Sequence, residues 1–184
     1  MIETLESWDQ YLFKFLNGLH SAFGDLIMPW VSDKYIWIPL YAILLFGFIK
    51  YSPYPWWQVL LAIVLLITIS DQVASGLLKP NIARLRPCYE PALEGMVHLL
   101  KGCGGKYGFA SSHASNAFAV AFFSIALLKA KWTWIRWLLP WAVLVAYSRI
   151  YLGVHYPGDV FAGAIIGWAS AWIVSHLLVL IQKT

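Results

Sequence analysis

Two long apolar runs of this sequence are separated by the stretch Ser148-Arg149-Ile150-Tyr151-Leu152-Gly153-Val154-His155-Tyr156-Pro157-Gly158-Asp159. A connection between two apolar helices needs only a few turn residues, yet this one carries an Arg, a His and an Asp within eleven positions. Pro157 suits the first turn of the second helix, because its missing N–H is not needed there. The stretch therefore predicts two helices joined by a short connection that carries chemistry.

His155 and Asp159 are the chemical centre of this connection. His155 precedes the predicted helix and Asp159 lies in its first turn, so the carboxylate can reach a ring nitrogen. Such a carboxylate fixes the tautomer of the imidazole and stabilises the cation that forms after nucleophilic attack. Arg149 adds a planar fork of donors suited to an oxyanion or a phosphate. The alternative is a charged interfacial loop whose Arg lies among lipid headgroups.

The composition places the chain in a membrane. Of its 184 residues 60% are hydrophobic and only 12% are charged, whereas a soluble domain averages about 25% charged residues. Charge-poor runs occupy residues 35–49, 53–70, 114–128, 137–148 and 160–182. With its flanks, each approaches the ~20 residues that cross a bilayer as a helix. The sequence predicts an all-α, multi-pass transmembrane bundle of about five spans.

The predicted spans cover residues 35–50, 54–78, 112–130, 133–152 and 158–181. They leave no room for a second domain, so residues 1–184 are expected to form one domain with its core at 35–181. Small residues in the last run favour close helix packing. Residues 7–33 are amphipathic and predict two short interfacial helices broken near residues 20–24. The alternative for this region is a sixth span. The first residues lack the features of a removable signal peptide.

Basic residues predict the orientation. With five spans, one side of the membrane receives Lys50, Lys129, Lys131, Arg136 and Lys183, and this side should be cytoplasmic. The long polar connection at residues 79–110 and the His155 connection then share the external face. The net charge of +4 suits anionic headgroups or a phosphate substrate and does not suggest nucleic acid.

Two further clusters fall on this external face. One runs from Lys79 to Pro87, and the other is Ala110-Ser111-Ser112-His113 at the start of a predicted helix. A helix N-terminus offers free N–H groups to a phosphate, and the cations add charge-assisted hydrogen bonds. With two histidines, His113 and His155, one can act as the nucleophile and the other as the general acid. No carboxylate cluster has metal-ligand spacing, so no metal is expected.

The three clusters together resemble the type 2 phosphatidic acid phosphatases, which share a core with vanadium-dependent haloperoxidases. The family pattern is Lys-x6-Arg-Pro, then Pro-Ser-Gly-His, then Ser-Arg-x5-His-x3-Asp. This chain matches the first pattern from Lys79 to Pro87 and the third from Ser148 to Asp159. The second pattern departs twice, with Ala110 in place of Pro and Ser112 in place of Gly.

The resemblance implies a phosphatase that works without a metal or other cofactor. It implies His155 as the nucleophile that forms a phosphohistidine, Asp159 as its orienting partner and His113 as the general acid. The implied phosphate cradle consists of Lys79, Arg86, Ser111, Ser112 and Arg149. Arg84 occupies a variable position of the first pattern and is left out. The histidines at 20, 98 and 176 match no pattern and are interpreted as structural.

The sequence indicates the substrate less directly than it indicates the reaction. The short chain and its opening residues resemble undecaprenyl-diphosphate phosphatases of the bacitracin-resistance type, so undecaprenyl diphosphate is the expected substrate. Phosphatidylglycerophosphate and lipid A phosphatases are the alternatives. A transporter or flippase would place charges near the bilayer midplane, whereas these charges lie at helix ends. The expected location is the bacterial inner membrane with the site facing the periplasm or exterior, and no obligatory protein partner is evident.

Both cysteines, Cys88 and Cys103, lie in the long polar connection. An external location exposes them to an oxidising compartment, where paired cysteines commonly form a disulfide. The alternative is two free thiols in a reducing compartment.

Overall fold

The computed structural model of the protein describes residues 2–182. Within this range the chain is helical, and an isolated bridge between Leu85 and Tyr107 is its only β pairing. The α-helices are α1 (Ile2–Gly18), α2 (Ala22–Val31), α3 (Ile38–Tyr51), α4 (Trp56–Asp71), α5 (Lys79–Ile82), α6 (Ser112–Leu128), α7 (Leu138–Tyr151) and α8 (Pro157–Ile181). The predicted all-α class is confirmed.

Three helical segments are long and apolar enough to cross a membrane: Lys34–Tyr51, Trp56–Ile82 and Pro157–Ile181. The second is continuous because a π-helical stretch, Gln72–Leu78, joins α4 to α5. The remaining two predicted spans correspond to α6, with 17 residues, and to α7 with the 3₁₀ turn before it. Both helices are shorter, and both pack against α8. The predicted multi-pass bundle is confirmed, and each predicted boundary lies within about one helical turn of a helix end.

The closest packing in the bundle joins α6 to α8. A Cβ atom on Gly163 would lie 2.5 Å from the carbonyl oxygen of Ser111, and one on Gly167 would overlap the carbonyl oxygen of Ser115. Glycine at these two positions lets the helix backbones approach, as small residues do in membrane bundles. The contact places the start of α6 beside the start of α8, where the second and third clusters lie.

The bundle has a buried apolar core and an apolar outer surface. Leu66, Phe123 and Val174 are buried at the centre, whereas Leu61 and Phe161 are more than 60% exposed. A water-soluble protein does not present so much contiguous apolar surface, but such a surface suits contact with lipid tails.

The N-terminal region forms the two predicted short helices. α1 docks on the end of the bundle through Phe13 and through buried Asn17. The centroid of the Phe13 ring lies 5.4 Å from that of the Tyr156 ring. Ser21 caps α2 by accepting a 3.1 Å hydrogen bond from the Gly24 amide. Within the described residues neither helix qualifies as a membrane span, so the sixth-span alternative is not supported. Lys183, used above for the orientation, lies outside the described residues.

Candidate active site

His155 and Asp159 meet as their spacing predicts. α7 ends at Tyr151, a short turn follows, and α8 begins at Pro157. His155 Nδ1 lies 3.3 Å from Asp159 Oδ2, which also accepts a 3.0 Å hydrogen bond from the Tyr156 amide. Both side chains are buried, with 1% and 0% of their surface exposed. Because a carboxylate faces Nδ1, this nitrogen carries the proton and Nε2 keeps a free lone pair.

The surroundings of His155 favour its neutral form. Burial lowers the pKa of the imidazole to about 4, and the charges of Arg149 and Arg86 act in the same direction, against the opposing effect of Asp159. Nε2 is therefore unprotonated at neutral pH. An unprotonated nitrogen is the state that a nucleophile requires.

The second cluster opens α6 beside this pair. The Ser111 amide donates a 3.0 Å hydrogen bond to the backbone carbonyl of Asp159, which joins the starts of α6 and α8. Ser111 is fully buried, and within residues 2–182 its Oγ has no hydrogen-bond partner. His113 lies in the first turn of α6, close enough to His155 and Arg149 to interact with them electrostatically. A buried hydroxyl without a partner is an available donor for a ligand oxygen.

The cations of the first and third clusters approach the same point. Lys79 begins α5, and its Nζ lies 3.3 Å from Ser75 Oγ. Arg86 donates from Nη1 to the Cys103 carbonyl at 2.7 Å, and burial lowers the pKa of its guanidinium. Arg149 donates from Nη1 to Ser32 Oγ, whereas its buried Nε has no partner in the described part of the chain. The structure thus brings all three predicted cations near His113 and leaves Arg149 Nε as a donor without a partner in that part of the chain.

Arg84, which the sequence pattern leaves out, belongs to this site. Its Nη1 donates to Asp159 Oδ1 at 3.1 Å and to Asp9 Oδ2 at 2.8 Å. Burial disfavours the charged guanidinium, but the charges of Asp159 and Asp9 outweigh this effect and raise the pKa of Arg84. Asp9 is a second site residue that no sequence pattern indicates, since it belongs to the interfacial helix α1. No spacing rule connects either residue with Asp159.

The long polar connection is held over the site. Cys88 and Cys103 are joined as a disulfide, with Cα atoms 6.1 Å apart. The same segment supplies the Cys103 carbonyl that accepts from Arg86, and Tyr89 donates from its hydroxyl to the Gly104 carbonyl at 3.0 Å. Gly108 packs so closely that a Cβ there would lie 3.0 Å from Asp159 Oδ2. The connection therefore forms one wall of the site.

An apolar cavity of about 600 Å³ leads away from His113 into the bundle. Its walls come from α3, α4, α6 and α7, with Leu66, Phe123 and Trp141 among the lining side chains. The cavity suits a lipid tail, because it places apolar surface next to a cluster of cations.

These features define a class of protein. A buried imidazole–carboxylate pair lies beside fixed cations, on a helical membrane bundle with an apolar cavity. Such a site belongs to integral-membrane lipid phosphatases, whose main catalytic need is a set of fixed donors around the transferring phosphoryl group.

The comparisons establish the family. The chain belongs to the PAP2 superfamily, whose family model matches residues 58–182. A lipid A 4'-phosphatase of Bacteroides thetaiotaomicron is 42% identical, over 97% of this chain and 81% of the relative. An undecaprenyl-diphosphatase of Sulfolobus acidocaldarius is 33% identical, over 94% of this chain and 78% of the relative.

A solved structure agrees with this assignment. The transmembrane PAP2-type phosphatidylglycerolphosphate phosphatase of Bacillus subtilis superposes with a TM-score of 0.70 at 25% identity, over 95% of this chain and 86% of that chain. The protein is therefore a membrane lipid phosphatase and a phosphoric ester hydrolase.

Proposed function

We propose that the protein removes a phosphate monoester from an acylated sugar lipid of the lipid A type, through a phosphohistidine on His155. One observation carries this mechanism: His155, whose Nδ1 faces the Asp159 carboxylate, lies beside buried donors that have no partner among the described residues. Those donors, Ser111 Oγ and Arg149 Nε, fit the equatorial oxygens of a transferring phosphoryl group.

The first step forms the phosphoenzyme. His155 Nε2 attacks phosphorus, and the bond from phosphorus to the lipid oxygen breaks as the new N–P bond forms. The negative charge of the bound phosphate offsets the surrounding cations and lets His113 carry a proton. His113 gives this proton to the departing oxygen, so the lipid leaves as an alcohol. Asp159 stabilises the positive charge that develops on the His155 ring.

The second step restores the enzyme. His113, now neutral, takes a proton from water while the water oxygen attacks phosphorus, and the N–P bond breaks. Inorganic phosphate leaves and His155 returns to its starting state. Lys79, Arg86 and Arg149 hold the phosphoryl oxygens in both steps, with Ser111 and Ser112 at the N-terminus of α6. The reaction balances without a metal or other cofactor.

The substrate is inferred from the chain's relatives and from one polar residue. The lipid A 4'-phosphatase relative shares more identity with this chain than the undecaprenyl-diphosphatase relative does. Asn116 lines the apolar cavity three residues after His113, and its buried Oδ1 has no hydrogen-bond partner within residues 2–182. An acylated amino sugar offers amide and hydroxyl donors to such an acceptor, whereas a polyprenyl tail has none. Undecaprenyl diphosphate stays the second candidate.

A phosphate-release assay on the purified protein tests the substrate. The panel contains lipid A, undecaprenyl diphosphate and phosphatidylglycerophosphate, each in the same detergent and with a chelator present. We expect the highest kcat/KM for lipid A, no loss of turnover with the chelator, and no turnover in His155→Ala. The matched variant Asn116→Leu should lower kcat/KM for lipid A and leave that for undecaprenyl diphosphate unchanged. A preference for undecaprenyl diphosphate would overturn the substrate assignment.

We also infer that the protein acts in the bacterial inner membrane as a single domain, with the site facing the periplasm. Supporting this, the long polar connection and the His155 turn share one end of the bundle. Single cysteines placed at Lys106 and Lys131 in the Cys88→Ser, Cys103→Ser background test the orientation, since both positions are exposed. An impermeant reagent should label position 106 in intact cells and not position 131. The reverse pattern would invert the orientation.

A further inference from the structure

A second cluster of chemically active side chains lies apart from the catalytic histidines. It consists of His20 in the turn between α1 and α2, Asp25 in the first turn of α2, and His98 in the long polar connection. One ligand atom from each of the three residues lies within 4.8 Å of the other two. His98 Nε2 is 2.8 Å from Asp25 Oδ1, and the His20 ring stacks on the His98 ring with centroids 3.8 Å apart.

The residues around this cluster hold two of its members in place. Asn17 Nδ2 donates to the His98 carbonyl at 3.1 Å, and the His98 amide donates to Asn17 Oδ1 at 2.8 Å. The Tyr151 hydroxyl donates to Asp25 Oδ1 at 2.7 Å. Polar partners of this kind orient metal ligands in proteins and strengthen their binding. His20 is the exposed member of the cluster and lies in the connection between α1 and α2.

We propose that His20, Asp25 and His98 bind a divalent transition-metal ion, with Zn²⁺ the best match. Two imidazoles and one carboxylate form a ligand set that suits zinc, and water completes a tetrahedral site at this partly exposed position. Zinc ligands at about 2.0–2.1 Å from the ion are about 3.4 Å apart. The His98–Asp25 pair is already close enough. The His20 ring is stacked almost parallel to the His98 ring, at 8°, so it has to rotate out of this stack to point a nitrogen at the ion.

The ion replaces the proton shared by His98 and Asp25. Without the ion, His98 Nε2 and Asp25 Oδ1 share a 2.8 Å hydrogen bond; with the ion bound, Nε2 is a ligand and the ring carries its proton on Nδ1. His20 contributes one nitrogen in its neutral form. Neither oxidation nor covalent transfer is involved, and the ion takes no part in the phosphatase reaction.

This site would fasten the N-terminal helices to the catalytic end of the bundle. The His98 carbonyl packs on Gly153, where a Cβ would lie 2.8 Å from it, and Gly153 has a φ of +74°. Gly153 precedes His155 by two residues. The ion therefore stabilises the folded chain by joining α1 and α2 to the connection that covers the catalytic turn.

Zn²⁺ binding to the tag-free protein tests this site. Equilibrium dialysis against Zn²⁺ should give one saturable site in the wild type, weakened at least about tenfold in His20→Ala. The control is His176→Ala, which removes an exposed histidine bonded to the Trp172 carbonyl on α8 and should keep wild-type affinity. Zn²⁺ should also raise the unfolding temperature of the wild type and of His176→Ala, with no effect on His20→Ala.

His98→Ala should lose the site as well, and His20→Ala keeps the test decisive if His98→Ala does not fold. Absence of saturable Zn²⁺ binding by the wild type would overturn the proposal. Unchanged affinity in His20→Ala would also overturn it, since the ion would then bind elsewhere. Because the phosphatase site is separate, neither result bears on the proposed reaction.

Discussion

Arg84 donates a 3.1 Å hydrogen bond from Nη1 to Oδ1 of Asp159, the oxygen of that carboxylate that does not face His155. The same Nη1 donates to Asp9 at 2.8 Å, and Asp9 accepts a 2.8 Å hydrogen bond from the Gly158 amide. The guanidinium also lies 4.1 Å from the centroid of the Tyr156 ring. Asp159, Asp9 and the Tyr156 ring thus hold the Arg84 guanidinium in place. Arg84 in turn sets the orientation of the Asp159 carboxylate relative to the His155 imidazole. It is a positioning residue for His155.

Replacing Arg84 should slow the chemical step more than it weakens substrate binding. In Arg84→Lys the shorter side chain cannot bring its nitrogen to the position of Nη1, which donates to both Asp159 and Asp9, and the planar group over the Tyr156 ring is lost. We expect kcat to fall by roughly 10–100-fold with KM nearly unchanged, because the interaction acts on His155 and not on bound lipid. Asp9→Asn should show the same pattern with a smaller decrease.

Steady-state kinetics of these variants give the measurement, with Glu6→Gln as the matched control on α1. Glu6 is exposed and lies one turn before Asp9, so its loss should leave both kinetic constants at wild-type values. A KM that rises while kcat is preserved in Arg84→Lys would show that Arg84 binds substrate directly.

The Ser111 hydroxyl, which has no hydrogen-bond partner among residues 2–182, should bind phosphate-like anions. Vanadate mimics the transferring phosphoryl group and should inhibit competitively. A hydrogen bond to a charged group contributes about 1.5–3 kcal/mol, so Ser111→Ala should weaken vanadate inhibition by roughly 10–100-fold. Ser175→Ala is the control, since among the described residues Ser175 also has a buried, unpartnered Oγ but lies on α8 away from the site. Equal inhibition of both variants would remove Ser111 from the cradle.

The Cys88–Cys103 disulfide should stabilise the fold and survive in freshly prepared membranes. It closes a loop with a sequence separation of 15, for which the chain-entropy model gives about 3 kcal/mol. Alkylation without reductant should add no label, and the paired change Cys88→Ser, Cys103→Ser should lower the unfolding temperature. Two alkylated cysteines without reductant would contradict both the disulfide and the external location of the connection.

The His155 ring should stay neutral in mildly acidic solution. Because burial lowers its folded-state pKa from 6.5 to about 4, the unfolded chain takes up this proton first as the pH falls. The contribution of His155 to stability is therefore complete above about pH 6.5 and is lost between about pH 6.5 and 4. NMR of ¹⁵N-histidine-labelled protein should show the His155 ring neutral at pH 5.5, with His155→Gln assigning the signal. A protonated ring at that pH would contradict the lowered pKa of His155.

Much of the architecture could be predicted because the bilayer imposes simple rules. Length, low charge and flanking polar residues located the helices, and Pro157 marked the start of α8. The spacing of His155 and Asp159 also predicted that the two side chains contact each other, since both lie at the start of one helix. Such local rules work because their causes lie within a few residues along the chain.

Contacts between distant segments could not be predicted in this way. Asp9 and Arg84 are 75 residues apart, and their meeting depends on where α1 docks. The same holds for His20 and His98, which appeared structural because neither belongs to a family pattern. In each case the role of the polar side chain depends on its partner, and tertiary packing determines which partner it has.

The most direct test of the proposed mechanism is to trap phosphate on the enzyme. Protein quenched during turnover of ³²P-labelled lipid should carry acid-labile, base-stable phosphate on His155, as a phosphohistidine requires. The label should be absent from His155→Ala and from His113→Ala, which lacks the acid for the departing oxygen, and present in His176→Ala. Absence of label from the wild type during rapid turnover, or full activity in His155→Ala, would contradict the central claim.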